Sequence, residues 1–153
     1  MRSLRITKYD PAKRDNKGAY TSTEWTEYSD VGKSVTHEEY ESVESKYIMA
    51  LETLLKSCDI QTLRITGLED NWNKCPYTDN QQITTDDFGG AFKDVLRAKY
   101  WCLFESDLAY VHFGYDYYSY IGIPHISNAD LDVITKNGLF VEDYKSPYHD
   151  NSI

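Results

Sequence analysis

The chain predicts an α+β domain, with one mixed β-sheet and about three helices packed mainly on one of its faces. Three observations predict it. Thr36-His-Glu-Glu39 reads as a capping box that opens a long amphipathic helix. Short alternating or aromatic-rich runs recur near residues 4–8, 63–65, 108–113, 117–123 and 139–144. Two more helical stretches lie between those runs, which gives the order β-α-β-α-β-β-α-β.

Leu4 and Ile6 start the first strand, with Arg5 and Thr7 on its opposite face, and Asp10-Pro11 breaks it. Residues 10–35 are polar, with turn points at Gly18 and Gly32, and form a long loop or a weak strand around Ala19 to Trp25. In the helix from Thr36, Tyr40, Val43, Tyr47, Ala50/Leu51, Leu54 and Cys58 make one apolar stripe, and Glu38, Glu41, Glu44 and Glu52 fall mostly off it. A strand at Leu63 and Ile65 stops at Gly67, and a polar loop runs from Leu68 to Gln82. Phe88, Ala91/Phe92, Val95/Leu96, Lys99 and Leu103 then space as a helix after Thr84/Thr85-Asp-Asp, weakened by Gly89-Gly90. Trp101 to Glu105 either finishes that helix or starts a hairpin turning at Ser106-Asp107. Two strands follow, interrupted near Gly114 and Asp116. Ser127 or Asn128 caps a short helix closed by Asn137-Gly138, and residues 139–144 make a last strand.

A length of 153 residues suits one domain spanning 1–153, with 147–153 as a tail. No apolar run approaches a membrane span and no signal-peptide pattern follows Met1, so the chain reads as cytoplasmic. Net charge is −9: residues 1–35 carry seven Lys/Arg against five Asp/Glu, and residues 36–153 carry nine against twenty. Such a body repels phosphate backbones, which excludes nucleic acid as the expected partner, and either steers a basic protein or simply keeps the domain soluble. Cys58, Cys75 and Cys102 have no zinc-type spacing and read as reduced thiols, the first and last as small core residues. His37, His125 and His149 are scattered singly, and no phosphate-binding glycine motif occurs, so no metal and no cofactor is expected.

Two acidic aromatic patches carry the binding expectation: Asp116, Tyr118 and Tyr120 in the run YVHFGYDYYSYI (110–121), and Glu69, Asp70 and Trp72 in the polar loop. The run holds five of the fourteen tyrosines, within a stretch from 100 to 135 that has five acids and no Lys or Arg. Rings beside carboxylates grip Arg and Lys by stacking and by charge-assisted hydrogen bonds. Strand alternation puts Val111, Phe113, Tyr115, Tyr117 and Ile121 toward the core. It puts His112, Asp116, Tyr118 and Tyr120 on the other face, where Tyr118 and Tyr120 serve either packing or binding. The alternative is a small enzyme in which His112 and Asp116 form an acid–base pair in a tyrosine-lined pocket. No nucleophile motif accompanies the pair, and no catalytic residue is assigned.

Three segments together resemble small stand-alone bacterial immunity proteins of contact-dependent and polymorphic toxin systems: ITKYDPAKRDNKGAYTSTEWTEYSDVGK (6–33), YVHFGYDYYSYIGI (110–123) and GLFVEDYKSPY (138–148). The resemblance implies a cytoplasmic protein that binds a cognate toxin domain and blocks its active site or substrate surface; the chain itself is expected to be a monomer or weak homodimer. A basic toxin, such as a nuclease, would be met by an acidic surface mimicking its polyanion. The motifs transfer no chemistry to any residue.

Overall fold

The computed structural model describes residues 1–13 and 25–149. The weak strand expected around Ala19 to Trp25 falls, Trp25 apart, outside the described residues. The strands are β1 (Arg2–Thr7), β2 (Thr62–Glu69), β3 (Gln82–Thr84), β4 (Trp101–Glu105), β5 (Tyr110–Phe113), β6 (Ser119–Ile123) and β7 (Phe140–Asp143). They form one sheet in the order β3-β2-β4-β5-β6-β1-β7. The helices are α1 (His37–Ser57), α2 (Thr85–Leu96) and α3 (Asn128–Lys136). The domain is α+β, as the order of sequence elements predicts.

Every strand pairing is antiparallel, which corrects the expected mixed sheet. The reason lies in how the helices cross over. Around α2, β3 and β4 run parallel but flank β2, and around α3, β6 and β7 run parallel but flank β1. Each crossover is thus a split β-α-β unit with an antiparallel strand filling the gap. The short β3, too brief to show a period in sequence, completes one of the two.

Local chemistry sets the helix ends. The Thr36 hydroxyl accepts from Glu39 N–H at 3.1 Å, and the Ser127 hydroxyl accepts from Asp130 N–H at 3.1 Å. α2 ends at Leu96, where Arg97 caps it and Ala98 turns to φ +59°, so Trp101–Glu105 is a strand and the hairpin turns at Ser106-Asp107. Gly89 of α2 faces α1, where a Cβ would make ordinary van der Waals contact with the Glu52 carboxylate. On α1 the buried stripe is Tyr40, Glu44, Tyr47, Ala50, Leu51, Leu54 and Leu55. Val43 and Cys58, expected in that stripe, are only half-buried.

Strand register sorts the two faces of the sheet, since paired residues share a face. One row runs Ile65–Phe104–Val111–Ile121–Leu4, all buried, and packs under the three helices. Phe92 of α2 meets Phe104 edge-on at 5.0 Å in this layer. On the opposite face His112–Tyr120–Arg5–Glu142 form a polar aromatic row across four strands. Residues 144–149 cross this face, with Tyr144 N–H bonded to Ser3 O at 3.0 Å and Ser146 N–H to the Tyr110 hydroxyl at 3.3 Å. Residues 147–149, expected to belong to a tail, therefore lie against the sheet: His149 stacks on Tyr110 at 4.6 Å, and Tyr148 packs on Trp101 at 5.3 Å.

Gly122 pairs with Tyr110 across β5 and β6, and a Cβ there would run into the Tyr110 ring and the Met1 sulfur. Gly122→Ala should therefore cost about 1–3 kcal/mol by overpacking. A lowered urea midpoint checks this, and Tyr110→Leu in the same background should recover part of the loss.

Candidate functional site

The turn between β5 and β6 does not continue the strand alternation. Residues Tyr115–Tyr117 form a single 3-10 turn in which Asp116 and Tyr117 both adopt φ near +60°. Two consecutive non-glycine residues in the left-handed region are strained, and the surroundings hold them there. The Tyr117 ring is buried against Trp25 at 5.1 Å and Tyr40 at 6.1 Å. Its hydroxyl donates to Leu96 O at 3.2 Å. Its carbonyl accepts from the Tyr47 hydroxyl at 2.8 Å, and Tyr47 in turn accepts from Lys8 N–H at 2.7 Å. With Tyr117 anchored in this way, Tyr115 and Asp116 are turned outward. Tyr115 is 87% exposed, which corrects its expected core position; the turn resets the phase after Phe113.

The loop after β2 approaches this turn from the side. A bulge between Thr66 and Glu69, with Gly67 at φ +59°, brings Glu69 opposite Trp101. Asp70 Oδ1 accepts from Lys74 N–H at 2.8 Å, and Oδ2 from Cys75 N–H at 3.1 Å. Asp70 thereby orders the loop that carries Trp72, and Trp72 is 72% exposed. Trp101 is pinned beneath by its indole N–H donating to Phe113 O at 2.8 Å.

Between loop and turn lies a cleft of about 320 Å³. Four of the predicted binding residues line it: Glu69 and Trp72 from one patch, Asp116 and Tyr118 from the other. The structure thus brings together two patches separated by more than forty residues of chain. The floor is apolar, from Val95, Leu96 and Phe113, and the wall adds Glu27 and Tyr28. No Lys or Arg occurs among the described residues that line it. Tyr120 and Asp70 are not part of the cleft. Tyr120 is only 6% exposed and packs with Tyr144 and Tyr148 on the opposite face of the sheet. Asp70 uses its carboxylate inside its own loop.

Sequence reading missed Tyr28, Glu27 and Tyr115. The first two had a signal, since Trp25-Thr26-Glu27-Tyr28 repeats the acid-beside-aromatic texture of the loop patch. Tyr115 had none, because its exposure depends on the φ values of the two residues after it.

The ionisation of the surrounding groups follows their burial. Burial pushes the Tyr117 hydroxyl up to about 12, and burial with Asp94 raises Tyr100 further. Burial raises the thiols of Cys75 and Cys102 as well. These groups stay neutral near pH 7, where tyrosine donates and stacks and a thiol is a poor nucleophile.

His112 and Asp116, the acid–base pair of the alternative enzymatic reading, are not brought together. Asp116 is exposed on the turn, whereas His112 is 0% exposed beneath residues 144–149. Its Nδ1 lies 2.7 Å from Ser146 Oγ, its ring stacks on Tyr110 at 4.5 Å, and its Nε2 lies 3.6 Å from Glu105 Oε2. The kink at Gly114 and the left-handed turn carry Asp116 away from the strand face on which alternation placed it.

Beside the imidazole, and despite partial burial, the Glu105 carboxyl is held below its ordinary value; the Thr66 hydroxyl, 3.1 Å away, helps. A carboxyl with a depressed folded pKa adds stability that is complete above its unfolded value. That stability is lost as pH falls through the folded value. The urea midpoint should therefore drop as pH falls below about 4.5, and Glu105→Gln should flatten that part of the profile. An equal drop in the variant would assign the acid loss to other groups.

Among the described residues no helix is long and apolar enough to cross a membrane, and no group of three His, Cys, Asp or Glu side chains is placed to hold a metal ion. No family model, no curated protein and no solved structure matches this chain.

Proposed function

We propose that this protein is an immunity-type binding protein that neutralises a cognate basic toxin domain, a nuclease being the fitting class, by direct protein–protein contact. One observation carries the reading: two acidic aromatic patches, far apart in sequence, form one cleft that no described Lys or Arg lines. Exposed Trp and Tyr are the residue types that anchor interfaces, and carboxylates around them favour a cationic partner. The net charge of −9 adds a long-range field of the same sign, which speeds encounter and makes it salt-sensitive. A nuclease domain presents a basic surface to its polyanionic substrate, and an acidic protein seated there competes for the same surface.

The test is protection. Cells producing the toxin domain encoded immediately upstream of this protein's gene should stop growing, and co-production of this chain should restore growth. Restoration that persists with Trp72→Ala and Asp116→Asn together would place the protective surface elsewhere. Absence of any restoration would remove the immunity reading.

A further inference from the structure

The cleft, read as the docking site proposed above, has a chemistry specific enough to name what enters it. We infer that it receives the side chain of an arginine presented by the protein partner. The inference rests on the docking reading and adds to it the identity of the anchoring group.

The fold's own cations supply the first argument. Arg97 is paired through two nitrogens with Glu44, at 2.8 and 3.0 Å, and its guanidinium lies 5.4 Å from the Tyr28 ring centre and 5.8 Å from that of Tyr40. Arg5 is bonded to Glu142 at 3.1 Å and sits 4.0 Å over Tyr144 and 5.0 Å from Tyr118. Both arginine side chains are mostly withdrawn from solvent. In each case a carboxylate fixes the edge of the guanidinium while aromatic rings cover its face. The cleft presents the same two components, the exposed rings of Trp72 and Tyr115 beside the exposed carboxylates of Glu69 and Asp116. Among the described residues that line it, none supplies the cation that would complete the set.

Size and charge select the occupant further. A volume of about 320 Å³ lies at the small end of ligand sites, fit for one or two side chains and too small for a docked helix. A planar guanidinium can lie flat on the Trp72 indole and still direct N–H groups toward two carboxylates. An ammonium is a more strongly hydrated point charge and gains less from the rings.

The experiment needs no toxin. A blocked Gly-Arg-Gly tripeptide is titrated into the full chain while the indole N–H resonance of Trp72 is followed, with Gly-Lys-Gly and Gly-citrulline-Gly as comparisons. The arginine peptide should give a saturable shift. The neutral citrulline peptide should bind about tenfold more weakly or worse, and the lysine peptide should fall between. Glu69→Gln with Asp116→Asn should weaken the arginine peptide by about tenfold while circular dichroism shows an unchanged fold. Equal titration by arginine and citrulline peptides, tighter binding of the lysine peptide, or no saturable shift overturns the inference. Protection from the toxin without a response to the peptide would remove the arginine seat and keep the docking reading. A response to the peptide without protection would do the reverse.

Discussion

Arg97→Ala should cost this fold about 3–5 kcal/mol. The substitution leaves the Glu44 carboxylate, whose side chain is 4% exposed, without its bidentate partner inside the helical layer. Sequence periodicity placed Glu44 mostly off the apolar stripe of α1, yet it lies buried on that stripe because Arg97 just past the end of α2 reaches it. The hydrogen bonds to Glu44 hold the guanidinium pKa above its ordinary value, so the cation is permanent. Removing both charges is a different experiment. Glu44→Met with Arg97→Met should cost much less than Arg97→Ala alone, because neither group is then left buried and unpaired. Urea unfolding of the wild type, Glu44→Met, Arg97→Met and the double variant measures the coupling. A loss under about 1 kcal/mol for Arg97→Ala would mean that the pair behaves as a solvated surface bridge. The cleft should suffer with the fold, since Arg97 packs on Tyr28, and Leu96 and Ala98 line the cleft on either side of it.

Trp72→Ala should leave stability within about 0.5 kcal/mol, because the side chain is 72% exposed. Against the proposed toxin partner the same substitution should weaken affinity by about 2 kcal/mol or more, roughly thirtyfold, if Trp72 anchors the contact. Asp116→Asn keeps a residue type that tolerates the left-handed region and removes only the charge, so its effect should fall partly on association rate and shrink with added salt. Isothermal titration and stopped-flow association at two ionic strengths separate the two effects. Unchanged affinity in Trp72→Ala would remove the loop from the interface.

Much of the fold was legible because its signals are local. Thr36 and Ser127 announce two helices by their hydroxyls, and Gly138 at φ +93° ends the third helix where the sequence places it. The strand around Val111 and Phe113 faces the core as alternation predicts. What stayed hidden depends on partners distant in sequence or on single φ values. β3 has three residues and no period, and without it the antiparallel direction of β4 against β2 could not be inferred. The phase break at Asp116 and Tyr117 moves Tyr115 outward and lets Tyr117 reach the Leu96 carbonyl, and no pattern of apolar residues encodes that. The site was half legible. Acids beside aromatics marked both patches, but only the fold shows that Glu69, Trp72, Asp116 and Tyr118 meet while Tyr120 is packed beneath Tyr144 and Tyr148.

A basic partner docking at the cleft between the Trp72 loop and the Tyr115–Tyr117 turn should be visible in amide and indole chemical shifts, mapped as the proposed toxin domain is added. The largest changes should cluster at Glu69, Trp72, Tyr115 and Asp116, with His112, Tyr120 and Ser146 on the covered face little affected. Changes centred instead on that covered face, or on the outer surfaces of α1 and α3, would contradict it.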